Sequence, residues 1–114
     1  MDLEEIKRAF ASVVAIPITP FSVDGGVDFA TYGRLLERMI DNGITVVTPN
    51  GNTSEFYSLT AEEQRQEVEV TIEAVHGQAL VLAGVGYDAL TAASMARFAA
   101  GSGKIARSRW LLTT

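Results

Sequence analysis

A chain of 114 residues is one domain or part of one. Hydrophobic residues make up 47% and charged residues 20%, which excludes disorder, and the lack of cysteine excludes a disulfide framework or a thiolate metal site. A net charge of −5 argues against a nucleic-acid-binding face, no apolar run reaches a membrane span, and the acidic start (Met1 to Glu5) is unlike a secretory signal, so the expected setting is the cytoplasm.

Leu3, Ile6 and Phe10 recur at helical spacing and predict a short amphipathic helix over Leu3–Phe10. Val13 to Phe21 predicts a first strand of the kind buried on both faces in a parallel sheet, although Pro17 forfeits a ladder bond and Pro20 ends it. Ser22 to Val27, with Gly25-Gly26, is a turn. Asp28 is placed to cap a helix whose apolar stripe is Phe29, Tyr32, Leu35/Leu36 and Met39/Ile40, with Gly43 just past its end. Ile44 to Thr48 is the second strand. Thr60-Ala61-Glu62-Glu63 is a capping box that opens the next helix, in which Val68, Ile72 and Val75 face inward and His76-Gly77 closes the end. Ala79 to Val85 is the third strand, and Leu90 to Ala100 the last helix, with Ala92, Met95, Ala96 and Ala99 inward.

This order is a leading helix followed by three strand–helix units, a spacing that demands parallel strands with crossover helices. A fourth strand is due after Gly103, but Lys104, Arg107 and Arg109 stand there and would be buried without partners. Residues 1 to 101 hold all 14 acids and six of the nine bases, so the charge balance reverses at the same point. The expectation is therefore a partial domain over 1–103 and an atypical tail over 104–114, read as a spurious, out-of-frame ending. The bland alternative is a native basic tail docked on the acidic helix around Glu62 to Glu73.

Between the second strand and the capping box lies a dense polar knot, Asn50-Gly51-Asn52-Thr53-Ser54-Glu55. Loops at strand ends are where α/β folds place ligands. A glycine that admits close approach, a carboxamide, two hydroxyls and free amides suit a small carboxylate or carbonyl compound, so Gly51, Asn52, Thr53 and Ser54 are the candidate substrate-binding residues. The competing reading is a polar turn whose side chains satisfy their own backbone.

Thr19-Pro20-Phe21 after the first strand, Gly51-Asn52-Thr53-Ser54-Glu55 after the second, Ser58-Leu59-Thr60-x-x-Glu63 at the helix entry and Gly84-Val85-Gly86 after the third resemble the dihydrodipicolinate synthase/N-acetylneuraminate lyase family. The resemblance runs from about Val13 to Gly103. It implies an α/β fold, the N-terminal (β/α)3 portion of a TIM (β/α)8 barrel with parallel strands and a leading helix. It also implies a lyase or aldolase acting on pyruvate or a related 2-keto acid through a lysine Schiff base, with no cofactor or metal. The family writes its central motif Gly-Thr-Thr-Gly-Glu. Gly51, Thr53 and Glu55 match it, and the resemblance assigns Thr53 to the keto-acid carboxylate. Asn52 stands where dihydrodipicolinate synthase uses a threonine in a hydroxyl relay. A carboxamide does not pass a proton that way, which points to a relative such as a sugar-acid dehydratase or aldolase.

The family's catalytic tyrosine and Schiff-base lysine lie on strands five and six, beyond this chain. Lys7 and Lys104 are not at strand ends where burial could lower a lysine pKa. Tyr32 and Tyr57 read as packing residues, and Tyr87 as a lesser candidate for a site wall. The glutamate-rich stretch from Glu62 to Glu73 reads as a solvated face. Two other functions remain open from the sequence. One is a catalytically silent fragment or pseudoenzyme that forms homo-oligomers or aggregates through uncovered sheet edges. The other is a small nucleotide-binding α/β domain, for which Gly84-Val85-Gly86-Tyr87-Asp88-Ala89 is a weak fingerprint with no acid about 20 residues on.

Overall fold

The computed structural model describes residues 2–102 and 110–113. Helix α1 (Leu3–Phe10) has the predicted bounds and is started by a capping box: Asp2 accepts from the Glu5 amide at 2.8 Å and Glu5 reaches back to the Asp2 amide. Strand β1 (Val14–Ala15) follows, then α2 (Phe29–Asp41), β2 (Val46–Val47), α3 (Ala61–Val75), β3 (Leu80–Gly84), α4 (Ala89–Ser102) and β4 (Trp110–Thr113). The strands form one parallel sheet in the order β1-β2-β3-β4. This is the α/β arrangement expected, with parallel strands, intervening helices and a leading helix.

Helix ends follow local chemistry. Asp28 accepts from the Thr31 amide at the start of α2, and Gly43 takes a φ of +91° just past its end. Thr60 and Glu63 form the reciprocal box at the start of α3, and His76 closes that helix in a left-handed conformation. The period-two alternation of the strands divides the sheet into two faces. Val47, Val81 and Ala83 point toward the helices and join Tyr32 and Leu36 of α2 with Val68, Ile72 and Val75 of α3 in the core. Tyr32 and Leu36 are fully buried.

Two expectations need correction. The first strand is not buried on both faces. Its ladder is confined to Val14 and Ala15, because Pro17 cannot donate, and beyond it buried Pro17 and Thr19 alternate with exposed Ile16 and Ile18. Val14 and Ile16 lie on the face away from the helices and are each more than a third exposed. The fourth strand does exist. Most of the segment 104–114 lies outside the described residues, but Trp110–Thr113 pairs with β3, from Val81↔Trp110 to Gly84↔Thr113. Lys104, Arg107 and Arg109 lie outside the described residues.

Candidate functional site

The polar knot is built by backbone geometry first. Thr48 donates its amide to the Ala15 carbonyl at 2.8 Å, and the Pro49 carbonyl accepts from the Gly84 amide at 2.9 Å. The chain then turns through Asn50 in the left-handed region (φ 59°), a conformation that asparagine tolerates better than most residues. Two short 3-10 turns follow, Asn52–Ser54 and Phe56–Ser58, hinged at Glu55, which is also left-handed. Close approach explains the glycines. A Cβ at Gly84 would collide with the Asn50 carbonyl, and one at Gly51 would lie 2.6 Å from Ile16 Cγ2.

Buried side chains then fix the loop to the helices. Asn50 Nδ2 donates to the Gln64 carbonyl at 3.1 Å, and the Asn50 amide to Glu67 Oε1 at 3.3 Å. Gln64 Nε2 donates to the Phe56 carbonyl at 3.1 Å and to the Tyr87 hydroxyl at 2.9 Å. Thr19 Oγ1 donates to the Ser54 carbonyl at 2.6 Å. Glu67 is fully buried, so it is not part of a solvated face; burial raises its carboxyl above the ordinary range. The signal was present in the sequence, since Gln64, Glu67, Thr71 and Val75 recur along one helical stripe.

A cleft of about 220 Å³ opens beside the loop, on the sheet face away from the helices, lined by Val14, Ile16, Thr48, Asn50, Gly51, Asn52, Phe56, Tyr57, Leu82, Gly84 and Val85. Gly51 and Asn52 therefore meet at the cleft. Thr53 is exposed on the same turn but outside the lining, and Ser54 is buried with its hydroxyl donated to the Gly51 carbonyl at 2.6 Å. The amides of Asn52 and Thr53 make no hydrogen bond among the described residues. Thr48 Oγ1 is buried, lines the cleft and has no partner there. Sequence reading passed over Thr48 as a strand residue; its place at the strand end was the available clue.

Tyr57 departs from expectation. It packs edge-on against Tyr87 (centroids 5.1 Å apart) and on Phe56, yet stands 61% exposed on the cleft wall. Tyr32 is a packing residue, its hydroxyl 3.0 Å from Thr71 Oγ1. Lys7 sits on an exposed face of α1 beside Glu4 at 3.4 Å, and Lys104 lies outside the described residues. At the start of α4, the Asp88 carboxylate already accepts from the Thr91 amide and hydroxyl, each at 2.9 Å. A phosphate would have to displace it. Among the described residues there is no group of three side chains that could hold a metal, and no helix long and apolar enough to cross a membrane.

The model of the dihydrodipicolinate synthetase family matches residues 9–108. The chain belongs to this family. A 4-hydroxy-tetrahydrodipicolinate synthase of Campylobacter jejuni is 44% identical over 95 residues, covering 82% of this chain and 32% of that protein. One from Gluconacetobacter diazotrophicus is 37% identical over 91 residues, 79% of this chain and 31% of the relative. Among solved structures, dihydrodipicolinate synthase from Bacillus clausii superposes with a TM-score of 0.83 at 44% identity, over 94% of this chain and 36% of that one. This chain thus spans about a third of the length of the relatives it matches. Its first three parallel strands and their helices match the N-terminal portion of their barrel. The family match extends to residue 108, into the segment whose composition looked foreign.

Proposed function

We propose that this chain forms the keto-acid-binding part of a lyase site in the dihydrodipicolinate synthetase family. Pyruvate or a related 2-keto acid would be the substrate, and the Schiff-base lysine and catalytic tyrosine would come from strands not in this chain. The observation that carries this reading is the cleft at the ends of β2 and β3. There Gly51, Asn52 and the unpartnered Thr48 hydroxyl meet beside the free amides of the family motif. Thr53 offers a hydroxyl and an amide to the substrate carboxylate from the adjacent turn. The curated relatives carry the name of the synthase, which favours that reaction. The observation favouring a sugar-acid dehydratase or aldolase is that Asn52, not threonine, lies in the cleft wall.

The test uses this segment joined to the remaining barrel of a relative. Thr53→Val should weaken keto-acid binding there by about 1–3 kcal/mol, seen as a raised KM. Steady-state constants equal to those of the unsubstituted protein would remove Thr53 from the site.

We also propose that the 114-residue chain associates with itself. β1 and β4 end the sheet, and Val13, Ile18 and Leu3 are each more than half exposed. Light scattering should report oligomers or larger species. A monodisperse monomer with a sharp cooperative melt would contradict this.

A further inference from the structure

The protons around the Glu67 carboxyl can be counted. The group is fully buried, and the ion pairs found among the described residues, Lys7–Glu4 and Arg65–Glu62, lie elsewhere at exposed positions. Its Oε1 accepts from the Asn50 amide, and its Oε2 lies 3.2 Å from Thr19 Oγ1. Thr19 Oγ1 in turn lies 2.6 Å from the Ser54 carbonyl. A threonine hydroxyl has one proton and a carbonyl has none. The short contact to Ser54 takes the Thr19 proton, so the proton between Thr19 and Glu67 must come from the glutamate. If Glu67 were ionised, one of the two contacts would set oxygen lone pairs against each other in a buried place.

One other hydroxyl, that of Tyr32, is hydrogen-bonded to the carboxyl, but its proton does not serve the Thr19 contact. Thr71 Oγ1 donates to the Glu67 backbone carbonyl at 2.7 Å and lies 3.0 Å from the same Tyr32 hydroxyl. The ionisable groups facing the carboxyl are that tyrosine, from α2, and Glu63, one turn earlier on α3. Glu63 is a like charge and opposes ionisation.

We infer that Glu67 is kept as a neutral carboxylic acid whose proton closes a relay, Glu67 Oε2–H to Thr19 Oγ1–H to the Ser54 carbonyl, and thereby positions the Asn50–Ser54 loop. Glu67 does not reach the cleft; it is a positioning residue that acts through Thr19 and Asn50. Its importance for substrate binding rests on the proposed function of that loop.

The direction with pH follows. The folded value lies above the ordinary 4.5. The contribution to loop closure is therefore complete below the ordinary value and is lost as pH rises through the raised one, by up to about tenfold in the closing equilibrium per pH unit. Asp24, Asp28, Glu63 and Asp88 are shifted the opposite way, so they contribute above their ordinary values and lose that contribution on acidification.

The test uses the 114-residue chain, in whatever state of association it adopts. With glutamate labelled by 13C at the carboxyl, infrared spectroscopy at neutral pH should show the carbonyl stretch of a protonated acid. The band should vanish on alkalinisation and be missing in Glu67→Gln. Hydrogen exchange read by mass spectrometry over residues 48–58, corrected for intrinsic rates, should show loop opening rising by up to about tenfold per pH unit as the pH approaches the loss of the band, and levelling off as the band disappears. In Glu67→Gln the loop should remain closed at all those pH values, since a carboxamide can donate to Thr19 and accept from Asn50. Absence of the band at neutral pH, loop exchange indifferent to its loss, or a Gln variant that keeps the original pH profile would each overturn the inference. Should Glu67→Gln not fold, the band and its coincidence with loop opening in the unsubstituted chain still decide. Neither readout involves a keto acid, so the inference and the proposed function can fail separately.

Discussion

Gly84→Ala should destabilise the chain by about 3 kcal/mol, the upper end of what overpacking commonly costs. The added methyl would press into the Asn50 carbonyl and lie 2.8 Å from the carbon of the same group and 3.2 Å from the Pro49 oxygen. These are backbone atoms and cannot swing aside as a side chain could. Moving them means parting the ends of β2 and β3, which are joined there by the Gly84 amide on the Pro49 carbonyl. It also draws Asn50 away from Glu67 and Gln64, so relief of the clash loosens the whole loop. Gly101→Ala is the matched control, since that glycine sits in α4 with open space around it, and alanine there should add about 0.5–1 kcal/mol. Urea unfolding followed by circular dichroism should lower the midpoint for Gly84→Ala by about 1 M or more and raise it slightly for Gly101→Ala. Equal midpoints for Gly84→Ala and the parent would refute the close approach. The same contact gives Gly84-Val85-Gly86 a role in strand packing, with Asp88 already placed on the following helix end.

The helices were legible because their signals are local. The Leu3–Ile6–Phe10 stripe marked α1 to the residue, and the Thr60 and Glu63 pair located the start of α3. Strands were located but drawn too long, because hydrogen bonding in a sheet depends on the neighbour and Pro17 withdraws from it. Glu67 was lost among five glutamates of one helix, where charge density argued for solvent and outweighed the stripe position. Only the arrival of Thr19 and Asn50 from distant parts of the chain makes burial of that carboxyl possible. Tyr57 failed in the other direction: an aromatic residue before a helix reads as core, yet it stands on the wall of a cleft. The tail falls mostly outside the described residues, and the part that is described, Trp110–Thr113, pairs with β3. Of the loop motif, Gly51 and Asn52 stand at the cleft, Thr53 beside it and Ser54 behind it; such an order is set by two short turns that leave little trace in composition.

The second large effect is the difference between the chain alone and the chain inside a barrel. A barrel enzyme gathers its site from the ends of several strands, and the cleft here is walled by residues of β1 and β3 and of the segments that follow β1, β2 and β3. Lys7 is solvent-exposed on α1 beside Glu4 and does not line the cleft. The isolated chain should therefore turn over no 2-keto acid, and borohydride reduction in the presence of pyruvate should leave its intact mass unchanged. The decisive measurement is the same trapping experiment on residues 1–102 of this chain joined to the rest of the Campylobacter jejuni barrel, with a cooperative melt to show that the chimera folds. A pyruvyl adduct on a lysine outside this segment, needing more pyruvate after Thr53→Val, is the predicted result. A folded chimera that forms no adduct at any pyruvate concentration, or one that forms it on Lys7, would contradict the assignment of this chain to the keto-acid-binding part of the site.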